Sequence, residues 1–180
     1  MKKEHETTAQ WWERVSNDPV EMDKWLQNQY YGEVTAANRI RESVAKYNLK
    51  GLKAKIIESI AKDEEKHAVW VSRLLRARMI ECVPLEKAER YWKETLPKEL
   101  EVNTFKYFCA VGHLAEVMRL DRISLIASDE RFSDIAEVMR KIYDDEVFHA
   151  RMFREISSQK NISKARKYHN MGMNAIGLLP

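Results

Sequence analysis

Cysteine is scarce in this 180-residue chain: Cys82 and Cys109 are the only two, and no Cys-x-x-Cys occurs. A disulfide framework is thereby excluded, and a zinc knuckle or an iron–sulfur site built on that motif lacks ligands. Glycine and proline are few, at five and four, which favours long helices over turn-dense folds. No block of like charge stands out. The 31 basic residues are spread among 28 acidic ones for a net charge of +3, so nucleic-acid binding has no support. Also missing are an apolar run of membrane-spanning length and an apolar stretch of secretory type near the start. The expectation is one domain over residues 1–180 in a reducing, cytoplasmic setting.

What is present is helical periodicity. Asp18-Pro19-Val20-Glu21 reads as a helix start, with Asp18 as N-cap and Pro19 at the first helical position. This helix is predicted to run to about Asn48 with Gly51 as its stop, turning Leu26, Tyr30, Glu33, Ala37, Ile40 and Val44 inward. A second, about 52–80, carries Ile57, Ile60, Glu64, His67, Val71 and Leu74 at the same spacing. A third, about 104–127, carries Phe105, Cys109, Gly112, Glu116, Leu120 and Ile123. The fourth, about 132–157, turns Ile135, Met139, Ile142, Glu146, His149 and Phe153 inward, with Ile156 beyond. The tail, 158–180, offers a short helix around Lys164–Met173.

Connection lengths choose the topology. Short turns make helices 1 and 2, and helices 3 and 4, antiparallel pairs. The link of roughly twenty residues around Pro84 and Pro97, with an amphipathic piece at Leu85–Tyr91, is longer than a bundle turn needs. Helices of this size are about 42 Å long, and such a link can travel back along them. The expected fold is all-α: a four-helix bundle (core about 19–157) with a long crossover between helices 2 and 3 and extra short terminal helices.

One pattern carries chemistry. Asp-Glu-x-x-His occurs twice, as Asp63-Glu64-Glu65-Lys66-His67 and Asp145-Glu146-Val147-Phe148-His149. Glu33 precedes Glu64 by 31 residues and Glu116 precedes Glu146 by 30, so the two halves nearly repeat. Glutamate and histidine three residues apart share a helix face. Four carboxylates among isoleucines would repel one another and cost several kcal/mol to bury. Two divalent cations would balance their charge, with two neutral imidazoles as further ligands. Glu33, Glu64, His67, Glu116, Glu146 and His149 are therefore the candidate ligands and catalytic residues of a two-metal site. Mixed oxygen and nitrogen donors suit Fe(II) or Mn(II). Asp63 and Asp145 are placed to accept the second ring N–H of a ligand histidine.

Other positions have an ordinary reading beside a functional one. His113 is a further ligand, a proton relay or, more simply, a satisfied core histidine. Arg119 pairs with Glu116 or a bound anion, or is a structural ion pair at the bundle rim. Tyr30 and Tyr143 either hydrogen-bond near the site or fill the core. Trp11, Trp12, Trp25, Trp70 and Trp92 are expected on the bundle's outside. Gly32, Ala36, Ala37 and Gly112 leave room for a substrate or let helices pack closely. His5 and His169 fall in terminal segments and carry little weight.

These residues resemble the ferritin-like di-iron carboxylate superfamily over about residues 20–157. Tyr31-Gly32-Glu33-Val34-Thr35-Ala36-Ala37-Asn38-Arg39-Ile40 looks like the first ligand helix of rubrerythrins and demethoxyubiquinone hydroxylases. Asp63-Glu64-Glu65-Lys66-His67-Ala68 is similar to both and to bacterioferritins. The resemblance implies two iron ions, or manganese with iron. Glu33, Glu64 and His67 would lie mainly on one metal, and Glu116, Glu146 and His149 mainly on the other. It implies an oxidoreductase acting with O2 or peroxide on a small-molecule substrate, with an electron donor; the alternative is bacterioferritin-like ferroxidase activity and iron storage. A homodimer is left open. The chain departs from rubrerythrins in having no paired Cys-x-x-Cys module, and in carrying Arg119 where they place another glutamate.

Overall fold

The computed structural model describes residues 5–82 and 104–175. Within them the chain forms α1 (Thr8–Ser16), α2 (Pro19–Lys46), α3 (Gly51–Ala77), α4 (Phe105–Ala127), α5 (Ser133–Ile156) and α6 (Gln159–Ala175), with a 3₁₀ turn at Glu130–Phe132. No strand occurs among the described residues. No helix among them is long and apolar enough to cross a membrane.

The helix ends follow local chemistry. Asp18 caps α2, its carboxylate accepting from the Val20 N–H at 2.8 Å and the Glu21 N–H at 3.3 Å, with Pro19 in the first turn. Thr104 caps α4 through the Tyr107 N–H. The predicted stop of the first helix needs correction, because Gly51 (φ +61°) instead begins α3. Asn48 ends α2, at φ 49°, with Leu49 N–H returning to the Val44 carbonyl and Asn48 N–H to that of Ala45. This is a Schellman closure using asparagine for glycine. Met79 (φ 58°) closes α3 the same way, with Ile80 N–H on the Leu75 carbonyl.

Packing confirms the two antiparallel pairs, α2 with α3 and α4 with α5; α3 also packs on α5. Two apolar clusters mark opposite ends of the bundle. At one end Met22 and Leu26 of α2 meet Leu74 and Leu75 of α3, Ile126 of α4 and Ile135 of α5. At the other, Ile40 of α2 meets Ile57 and Ile60 of α3, Cys109 of α4 and Phe153 of α5. The late part of α3 and the early part of α4 thus lie at opposite ends. That arrangement is the one a crossover serves; the link itself, with Leu85–Tyr91 and Trp92, lies outside the described residues.

Two expectations about the periphery change. Trp11 and Trp12 are not on the outside: on α1, which the helical reading passed over, they are buried in the first cluster. The signal for α1 was Thr7-x-x-Gln10, a capping box in which Thr7 accepts from Gln10 N–H and Gln10 returns a bond to Thr7 N–H. Trp12 Nε1 also donates to Asp129 Oδ2 at 2.8 Å. The tail helix is longer than expected, 17 residues, and α6 packs on α4 through Ile162 and Ala165. Gly112 serves close packing, since a Cβ there would lie 3.0 Å from the Phe153 ring.

Candidate metal centre

Between the two apolar clusters lies one polar layer. Glu33 comes from α2, Glu64 and His67 from α3, Glu116 from α4, and Glu146 and His149 from α5. All six are buried, five of them with no exposed surface and Glu116 at 6%. Helical spacing placed each in an apolar stripe, and bundle closure brought the stripes together. Ligand atoms from Glu33, Glu64, His67 and Glu146 lie within 4.8 Å of one another. His67 Nδ1 is 3.8 Å from oxygens of each of those three glutamates. His149 Nδ1 lies 3.1 Å from Glu146 Oε2 and 3.4 Å from Glu64 Oε1. Glu116 joins on the Arg119 side, 3.6 Å from the guanidinium.

The two aspartates serve the histidines crosswise. His67 Nε2 reaches Asp145 Oδ2 at 3.0 Å, and His149 Nε2 reaches Asp63 Oδ2 at 3.4 Å. Each motif therefore orients the imidazole of the other. A carboxylate there only accepts, so Nε2 carries a hydrogen and Nδ1 faces the glutamates, where loss of its own proton would free the lone pair a metal ligand needs. Sequence reasoning missed Lys66, whose Nζ sits 2.8 Å from Asp63 Oδ1 and 2.9 Å from Asp145 Oδ2 and ties the pair together. It also missed Gln29, one turn before Glu33, which donates to Glu33 Oε1.

Arg119 is not a rim ion pair. Its Nη2 donates to Glu33 Oε1 at 2.6 Å, and its Nη1 is 2.9 Å from Glu146 Oε1. His113 is satisfied in the simple way, with Nδ1 3.0 Å from the Ala150 carbonyl oxygen. Tyr30 and Tyr143 pack against the first apolar cluster. His169 is buried in α6, and burial pushes it down to about 4.

The electrostatics show the charge the layer calls for. Burial raises Glu64, with His149 and His67 opposing it. Burial and the Glu146 charge push Glu116 up to about 8. Burial would likewise raise Glu33, but Arg119 and His67 outweigh it and hold that carboxyl well below its ordinary value. Burial disfavours the charged imidazoles, yet Glu33 and Glu64 raise His67 to about 10, and Glu146 and Glu64 raise His149 to about 11. Without a metal, the layer must hold extra protons to approach neutrality. Even so, Glu33 Oε2, both Glu64 oxygens, His67 Nδ1, Glu116 Oε2 and Glu146 Oε1 are buried with no hydrogen-bond partner. Buried polar atoms are normally paired, and six orphans of ligand type in one layer fit divalent cations.

Comparison with curated proteins gave no match, and neither did comparison with solved structures. A family model does match, over most of the bundle: the one described as Rubrerythrin, across residues 24–157. All six glutamates and histidines of the polar layer fall inside that span, and the chain belongs to the rubrerythrin family.

Proposed function

We propose that the protein is a non-haem oxidoreductase that uses two iron ions, or manganese with iron, to activate O2 or peroxide against a small-molecule substrate, drawing on an electron donor. The observation that carries this reading is the set of six buried ligand atoms in one layer without a hydrogen-bond partner. Metals held by carboxylates cycle between divalent and trivalent states and leave positions open to an oxidant. Glu33, Glu64 and His67 would hold one ion; Glu116, Glu146 and His149 would hold the other.

The chain's own groups then divide the remaining tasks. Asp145 and Asp63 hold the His67 and His149 rings with Nδ1 inward. Glu116, pushed to about 8, keeps a proton near neutrality and releases it as a cation arrives. The isoleucines and Phe153 on either side exclude water, which strengthens every charge interaction in the layer.

The test is anaerobic loading with Fe(II), then exposure to O2 or peroxide while absorbance and metal content are followed. Two irons per chain and a rapid oxidation transient are expected. His67→Ala and His149→Ala should each lose metal and the transient; variants that bind and react like the parent would sink the assignment. A very large hollow assembly in solution would point to iron storage instead.

A further inference from the structure

Arg119 is a member of the layer that a two-cation site does not require. It lies three residues after Glu116 on α4, so the two side chains share a face. Nη2 is bound to Glu33 Oε1. Nη1 stands among three carboxylates from three helices, 2.9 Å from Glu146 Oε1, 3.6 Å from Glu116 Oε2 and 3.8 Å from Glu64 Oε2. Glu33, Glu64, His67 and Glu146 form the compact group of ligand atoms. Glu116 and His149 complete a second group only through Glu64 and Glu146, both of which the guanidinium already faces.

A guanidinium cannot shed its proton, so it leaves the layer only by moving. Four carboxylates are balanced by two divalent cations, and a guanidinium kept among them would add a surplus buried charge. With a single cation, Arg119 supplies charge that a second would otherwise bring. Its side chain keeps 22% of its surface accessible, so it has a direction in which to withdraw.

We propose that Arg119 is a resident cation standing in one of the two metal positions, so that loading is stepwise. One divalent ion binds with the guanidinium in place, and a second binds only as Arg119 withdraws. This rests on the layer being a metal centre, and the test separates the two ideas.

The probe is Mn(II) alone, followed by equilibrium dialysis and by electron paramagnetic resonance of the bound ion. The wild-type chain should bind one ion tightly and a second about a hundredfold more weakly, the cost of breaking buried ion pairs. At one equivalent the spectrum should be that of isolated ions. Arg119→Gln should bring the two constants to within about tenfold, and spin-coupled pairs should form at lower Mn(II). Two equal sites in the wild type, or an unchanged gap in Arg119→Gln, would overturn the arginine proposal and leave the metal centre standing. A wild-type chain that binds neither Mn(II) nor Fe(II) removes both. Should Arg119→Gln fail to fold, the wild-type isotherm decides by itself.

Discussion

Glu64 should be a residue whose removal stabilises the protein in the absence of metal. Both its oxygens are buried and unpaired, and its exposed surface is zero. The nearest positive groups stand off: His149 Nδ1 at 3.4 Å, His67 Nδ1 and Arg119 Nη1 at 3.8 Å. An ionised carboxylate so placed loses its hydration without gaining a hydrogen bond, a penalty of several kcal/mol that those cations offset only in part. Glu64→Gln keeps the shape and removes the charge, so metal-free stability should rise by about 2 kcal/mol. For a chain of this length that is roughly 4–8 °C in Tm. With Mn(II) or Fe(II) at about a hundred times Kd, the wild type gains about 2.7 kcal/mol, which a variant lacking a central ligand loses. The stability order should therefore reverse between chelator and metal. Thermal melts followed by circular dichroism, with EDTA and with excess Mn(II), measure both arms. A Glu64→Gln chain that melts below the wild type in EDTA would refute the reasoning.

The metal-free protein should also respond to pH in one direction. Folded Glu116 sits at about 8 against 4.5, and folded His67 at about 10 against 6.5. Below about 6.5 His169, pushed down to about 4, offsets Glu116; above it the native state holds more protons than the unfolded chain, and stability must fall as pH rises from about 6.5 to about 9. Tm measured in EDTA should drop over that range; a rise would contradict the assignments. Metal affinity should increase over the same range as those protons are released, which calorimetric titration at several pH values would detect. Asp145→Asn disturbs the bond that orients His67 and should weaken metal binding about 10–100-fold with little loss of fold, read by dialysis alongside a melt. Gly112→Ala drives a methyl against the buried Phe153 ring and should cost about 1–3 kcal/mol, despite the better helix former; an unchanged denaturant midpoint would show that the ring yields. Met79→Gly relieves a left-handed backbone at a side chain 96% exposed and should stabilise by about 0.5–1 kcal/mol, seen as a higher midpoint at constant slope.

The bundle and its polar layer were legible because both rest on helical periodicity. Glu33, Glu64, Glu116 and Glu146 each interrupt an apolar stripe, and a stripe position is buried whatever occupies it once the helices close. Antiparallel pairing followed from loop length alone. Less legible were features that depend on which helix meets which. The crossed bonds from His67 to Asp145 and from His149 to Asp63 require α3 and α5 to face each other, so the aspartates could be named but not their partners. For Arg119 local spacing offered only the pairing with Glu116, beside a rim ion pair, while its contacts to Glu33, Glu64 and Glu146 come from three other helices. Gly51 was misread as the stop of the first helix because Asn48 holds the left-handed position that glycine usually takes. The burial of Trp11 and Trp12 depended on α1 packing against α2 and α4, a contact with no periodic signature.

The arrangement of stability along the bundle bears on function. Leu26, Leu75, Ile135, Met139 and Ile142 at one end, and Ile57, Ile60 and Phe153 at the other, are fully buried, each contributing about 1.5–3 kcal/mol. Those ends hold the helices in register. Within that frame the middle layer can stay electrostatically unfavourable without unfolding the chain. An apolar middle layer would be more stable and would bind nothing. Glu64, without a hydrogen bond between two packed ends, is thus held where it would not remain unaided, and the strain it carries is what a bound cation would relieve. Arg119 tempers the same strain without removing it, since Nη2 reaches Glu33 and Nη1 reaches Glu146 closely, while Nη1 stands 3.8 Å from Glu64. The layer is therefore held in place by its packed ends, with ligand atoms left unsatisfied where a cation would complete them.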